Sequence, residues 1–232
     1  MMTIAQHLET VRQRICSACE RCGRSPETVE LVAVSKTRPA SDILAAFRAG
    51  QVIFGENYVQ ELTAKVAQLH EPLHWHFIGH LQSNKVRQIA GQVSLIHSVD
   101  RLSLAQEISR QWGRLGIVCN LLVQVNVSGE ASKSGTTAVE ALELIRAIAV
   151  LPHVQVQGLM TMPPFFDDPE ETRPFFCELR QLADRISGEN IAGVSMERLS
   201  MGMSGDFEVA IEEGATLVRV GTAIFGERSY AH

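Results

Sequence analysis

The chain has no uninterrupted apolar run of about 18 residues, and Met1-Met2-Thr3-Ile4-Ala5-Gln6-His7-Leu8-Glu9 lacks the basic and apolar regions of a signal peptide. Neither membrane insertion nor export is expected, and the chain reads as cytoplasmic. Cysteine is sparse and odd in number: Cys16, Cys19, Cys22, Cys119 and Cys177. Without a secretion signal, that pattern predicts reduced thiols and no disulfide framework. Basic charge is also short, 21 Lys and Arg against 26 Asp and Glu for a net charge of −5. No segment gathers basic residues, so a nucleic-acid partner is not expected. What remains is an ordinary globular composition, 45% hydrophobic and 20% charged over 232 residues.

Short β-branched runs alternate with segments of helical period, the pattern of βα units on a parallel sheet. Eight strands are predicted: Glu30–Ser35, Val52–Phe54, His74–Ile78, Ser94–Ser98, Asn120–Val127, Val154–Met160, Glu197–Ser200 and Leu217–Val220. Helices are predicted over Ala40–Ala49, Tyr58–Gln68, Ser83–Ala90, Leu102–Trp112, Val139–Val150, Glu170–Arg185 and Phe207–Glu213, with an extra leading helix over Thr3–Arg21. Eight such units close into a (β/α)8 barrel, for which about 250 residues is typical. The expectation is one α/β domain, a TIM barrel, spanning residues 1–232. An open doubly wound sheet is the alternative, but no G-x-G-x-x-G turn follows the first strand. Two long loops follow strands, Ser128–Thr137 and Met162–Pro169, and barrel sites are built from such loops.

Only four lysines occur, Lys36, Lys65, Lys85 and Lys133. Lys36 closes the run Leu31-Val32-Ala33-Val34-Ser35-Lys36, at the carboxyl end of the first strand and on the face of Val32 and Val34. An amine among apolar walls loses solvation, its pKa falls, and it becomes able to condense with an aldehyde. The alternative is a strand-end lysine whose head stays in water. Lys65, in mid-helix, reads as a solvated surface charge, whereas Lys85 and Lys133 could touch an anion. Leu199–Asp206 and Arg219–Gly226 follow the seventh and eighth strands with small residues, hydroxyls and free backbone N–H groups, either an anion cradle or merely tight turns. Arg219 shares that rim, as a donor to a ring nitrogen or a clamp on an anion. A lysine, an anion cradle and an arginine across one mouth would suit pyridoxal 5′-phosphate (PLP). His74-x-His76 puts two imidazoles on one strand face, but no third ligand stands at suitable spacing, so no metal site is expected. Cys16-x-x-Cys19-x-x-Cys22 has iron–sulfur spacing without the fourth cysteine, and reads as incidental helix thiols.

Several motifs in register are more specific. They are Ala33-Val34-Ser35-Lys36-Thr37, Phe54-Gly55-Glu56-Asn57-Tyr58-Val59-Gln60-Glu61, Trp75-His76-Phe77-Ile78-Gly79, Leu81-Gln82-Ser83-Asn84-Lys85, Lys133-Ser134-Gly135, Gly158-Leu159-Met160, Leu199–Ser204 and Arg219–Gly226. On these, nearly the whole chain resembles the pyridoxal phosphate homeostasis family of the YggS/PROSC type. The resemblance implies a barrel of the alanine racemase N-terminal type, fold-type III, holding PLP as an internal aldimine. It also implies Lys36 as the aldimine lysine, Asn57 near the ring substituents, Ser200, Gly221 and Thr222 on the phosphate, Arg219 at the pyridine nitrogen, and Met160 and His76 lining the pocket.

Only Glu227–His232 follow the Arg219–Gly226 segment of the last strand and its turn, so a second domain of the racemase kind is not expected. Two-base racemisation needs a proton donor on each face of the α-carbon, and Lys36 supplies one. The expectation is therefore a non-catalytic PLP carrier in vitamin B6 homeostasis, with no catalytic residue assigned. Transient partners would be PLP-dependent apoenzymes, a monomer is expected, and Lys133 is a candidate second amine in loading or release. The alternatives are a weak PLP-dependent racemase or lyase, and a cofactor-free Schiff-base aldolase using Lys36 on a phosphorylated carbonyl.

Overall fold

The computed structural model describes residues 2–130 and 133–227. Among these residues nine strands run β1 Glu30–Val34, β2 Ile53–Glu56, β3 His74–Phe77, β4 Leu95–Val99, β5 Cys119–Asn126, β6 Thr136–Thr137, β7 Val154–Met160, β8 Val194–Ser200 and β9 Leu217–Val220. All pair in parallel, in the order β4-β3-β2-β1-β9-β8-β7-β5, and β4 returns to β5 to close the ring. The two-residue β6 adds only to β5, so eight strands make the barrel, as the rhythm predicts. Residues 131 and 132 of the long loop after β5 lie outside the described residues, as do residues 228–232.

Helices lie between the strands: α1 Ile4–Arg21, α2 Ala40–Arg48, α3 Val59–Gln68, α4 Val86–Ile89, α5 Leu102–Gly113, α6 Ala141–Ala149, α7 Arg173–Gly188, α8 Phe207–Glu212 and α9 Thr222–Phe225. Thr3 starts α1 with a capping box, its hydroxyl accepting from Gln6 N–H while the Gln6 side chain takes Thr3 N–H. Leu8, Val11, Ile15, Ala18 and Cys19 form the buried stripe of α1, which packs on α8 and α9. The predicted Ser83–Ala90 helix is instead a 3-10 turn over Ser83–Lys85 and the single turn of α4. The seventh barrel strand starts at Val194, three residues before the apolar alternation becomes readable.

Strand alternation divides the core. Residues such as Ala33, Phe54, Phe77, Ile96 and Val220 point outward into the shell shared with the helices. Val32, Leu95, Leu122, Met160 and Leu217 meet in a small interior cluster. That barrel interior is not wholly apolar. Four of its buried residues, His76, His97, Ser200 and Arg219, carry hydrogen bonds beneath the mouth.

Candidate active site

A cavity of about 290 Å3 opens at the carboxyl ends of the strands. The turn after β1 contributes Lys36 and Arg38, Asn57 follows directly on β2, and Ile78 on β3. Met162, Phe165 and Phe166 come from the loop after β7, Met203–Asp206 from that after β8, and Arg219, Gly221 and Thr222 from β9 and its turn. Of the site residues read from sequence, Lys36, Asn57, Arg219, Gly221 and Thr222 thus share one cavity. His76, Met160 and Ser200 do not line it; they are 4%, 0% and 0% exposed inside the barrel. Lys133 is outside the lining as well, with Nζ 3.9 Å from Glu130 Oε1.

Arg219 is a fixed group. Its Nη1 donates to Ser200 Oγ at 2.6 Å and its Nη2 to Thr161 O at 2.9 Å. Burial lowers its pKa to about 10, against the pull of Asp206, so the guanidinium remains cationic at neutral pH. Ser200 is committed to Arg219 and to His97, whose Nδ1 is 2.8 Å away. An arginine only donates, so Ser200 Oγ accepts from it and keeps its proton and a second lone pair to meet His97 Nδ1. On the other side of the ring, His97 Nε2 lies 3.0 Å from His76 Nδ1, where one of the two imidazoles donates to the other. Both imidazoles are neutral, since burial pushes His76 down to about 3 and His97 well below its ordinary value. His76 of the His74-x-His76 pair therefore meets another histidine, while His74 is exposed.

The loop after β8 presents Ser204 where Ser200 was expected. Ser204 Oγ accepts from the backbone N–H groups of Gly221, 3.2 Å, and Ala223, 3.4 Å. These converging donors are of the kind that an anionic oxygen recruits. Asp206 beside them accepts from Met203 N–H at 2.6 Å, and burial raises its carboxyl pKa. Across the cavity, Asn57 Oδ1 is a buried acceptor with no partner among the described residues, a group calling for a donor from a ligand. Its backbone is set by close approach: a Cβ on Gly79 would sit 2.2 Å from Asn57 O.

Lys65 corrects the sequence reading. It is buried, not solvated, and its Nζ lies 2.6 Å from Glu56 Oε1 and 2.7 Å from Ser35 O. On α3 the buried positions Val59, Leu62, Lys65 follow one helical stripe, so the period itself carries the signal that position in mid-helix hides. Burial raises the Glu56 carboxyl pKa, and Lys65 opposes the rise.

A family model described as the alanine racemase N-terminal domain matches residues 6–229. The chain is 47% identical over 230 residues to a pyridoxal phosphate homeostasis protein of Aquifex aeolicus, covering 99% of this chain and 100% of that one. It is 46% identical over 235 residues to the protein of the same name from Escherichia coli, covering 100% and 99%. Among solved structures, PipY of Synechococcus elongatus with PLP bound superposes with a TM-score of 0.85 at 37% identity, covering 97% of this chain and 100% of that chain. An alanine racemase of Clostridium difficile shares the fold, with a TM-score of 0.73 at 13% identity over 94% of this chain and 56% of that chain.

Proposed function

The chain belongs to the alanine racemase N-terminal domain family, in its pyridoxal phosphate homeostasis branch, and from that premise we propose that it binds PLP reversibly through Lys36 and serves PLP homeostasis without amino-acid turnover. The observation that carries this reading is the meeting of Lys36, Asn57, Ser204, Arg219, Gly221 and Thr222 around one cavity. PLP brings an aldehyde, which condenses with a primary amine with loss of one water, and a phosphate and a ring nitrogen at other corners of the molecule.

The residues fit that shape. Lys36 presents the amine, and Gly221, Ala223 and the Ser204 hydroxyl form the anion cradle. Arg219, clamped by Ser200 and Thr161, is a donor that holds a ring nitrogen unprotonated, which weakens the ring as an electron sink. Asn57 Oδ1 accepts from a ring substituent. Ser200, His76 and Met160 act under the floor, through Arg219 or by packing.

Binding is favoured over turnover by what faces the cavity. Its lining among the described residues includes no histidine, tyrosine or cysteine, and Asp206 is engaged with Met203 N–H. A second proton carrier for the opposite face of an α-carbon would have to be Asp206, the one carboxyl in this lining among the described residues. Transient delivery to apoenzymes, a monomeric state and a cytoplasmic place complete the proposal. Among the described residues, no helix is long and apolar enough to cross a membrane.

The test joins two assays on one preparation. PLP-loaded protein is mixed with a PLP-dependent apoenzyme, and free amino acids are incubated with it in heavy water. Recovered apoenzyme activity with no α-proton exchange supports the carrier. Exchange that disappears in Lys36→Ala establishes a racemase or lyase instead.

A further inference from the structure

Lys36 is gripped from both sides by groups outside the cavity. On one side, the Ser35 hydroxyl donates to Glu56 Oε1 at 2.7 Å, and the Ser35 carbonyl accepts from Lys65 Nζ at 2.7 Å. On the other, Thr37 N–H donates to Glu61 Oε2 at 2.7 Å. Lys65 joins the two grips, with Glu56 Oε1 at 2.6 Å and Glu61 Oε2 at 3.3 Å. The three donors of one ammonium thus meet three acceptors. Glu56, Glu61 and Lys65 are absent from the cavity lining.

The grip has a reason in the backbone. Thr37 has φ +63°, a left-handed conformation that a β-branched residue adopts only when its surroundings impose it. Arg38 N–H closes the same turn onto Ser35 O at 3.0 Å. Burying an ion pair brings little stability in itself, and specifying one conformation is among the uses such pairs serve.

We propose that Glu56, Lys65 and Glu61 form a strap that holds the strained turn on either side of Lys36 and so fixes where its amine meets the cofactor aldehyde, which makes all three positioning residues. The proposal rests on the PLP reading of the site. Glu61, half-exposed at the strap's edge, is the residue to change, because loss of Glu56 or Lys65 would strand a buried charge.

Three variants are compared with the parental chain: Glu61→Gln, Glu61→Ala, and Glu61→Ala combined with Thr37→Asn. Thr37 amide hydrogen exchange is measured without PLP, and PLP affinity and release are measured separately. Glu61→Ala should speed Thr37 exchange and weaken PLP retention, each on the order of tenfold. Glu61→Gln, which keeps an acceptor oxygen, should lie near the parental values. Thr37→Asn should restore much of the retention lost in Glu61→Ala, because asparagine accepts the left-handed conformation more readily. Faster exchange with unchanged PLP retention would overturn the proposal, and failure of Thr37→Asn to restore retention would overturn the route through Thr37. A parental protein that does not load PLP at all would instead overturn the reading of the site, while the exchange data alone would still decide whether the strap exists.

Discussion

Gly79 and Asn57 show how a single atom shapes the mouth. The backbone of Asn57 passes so close to Gly79 that a methyl group there would overlap its carbonyl oxygen. Gly79→Ala should therefore push Asn57 aside, destabilise the fold by about 1–3 kcal/mol, and weaken PLP binding more than Asn57→Ala does. Urea unfolding and PLP titration check the two effects. Legibility at this scale followed the strand period. Lys36 was readable because it ends a β-branched run on the inward face. The family resemblance implies Ser200 on the phosphate, yet it is the last residue of β8 and turns into the barrel to meet Arg219. Four residues on, Ser204 has left the strand and reaches the Gly221 and Ala223 N–H groups. The Glu56–Lys65 pair was hidden because its partners lie on β2 and α3, and only their tertiary meeting makes a lysine tolerable at a buried position.

At the scale of elements, β3 and β4 bring His76 and His97 together inside the barrel, and this makes stability depend on pH. Both histidines are held neutral below their ordinary pKa of 6.5, His76 down to about 3. In the unfolded chain they protonate near 6.5, so below that pH the unfolded state binds more protons and gains on the folded one. Their stabilising contribution is present above about pH 6.5 and falls below it, for His76 down toward pH 3, by up to about 1.4 kcal/mol per pH unit for each group. Glu56 and Asp206, raised by burial, act with the opposite sign. The decisive comparison is therefore of slopes: urea midpoints between pH 7.5 and 5 should fall more steeply for the parental protein than for His97→Asn. Equal slopes would mean that His97 already carries a proton in the fold. The sequence showed both strands, but a histidine pair formed across neighbouring strands has no spacing signature along the chain. The shortness of α4 was equally illegible, since helical period does not say where a turn tightens to 3-10 geometry.

The whole molecule was the most legible level, because eight repeats of one unit add weak local signals into a strong one. Their parallel order, closed between β4 and β5, puts every strand's carboxyl end at one mouth. Lys36 from the first barrel strand and Arg219 from the eighth become neighbours there because β1 pairs with β9 in register, with Val32 beside Arg219. Two residues 183 positions apart in the chain are thus brought to one rim by the β1–β9 pairing. Lys36→Ala should leave this architecture intact, with a melting temperature close to the parental one in the absence of PLP, while abolishing covalent capture. Thermal unfolding and absorption spectra check that separation of fold from chemistry.

That Lys36 is the amine that takes the aldehyde is tested by loading the protein with PLP, fixing the product with borohydride and mapping the four lysines by peptide mass. One pyridoxyl group per chain, on Lys36, is expected. A label carried by Lys65, Lys85 or Lys133 with Lys36 unmodified, or no label on any lysine, would contradict it.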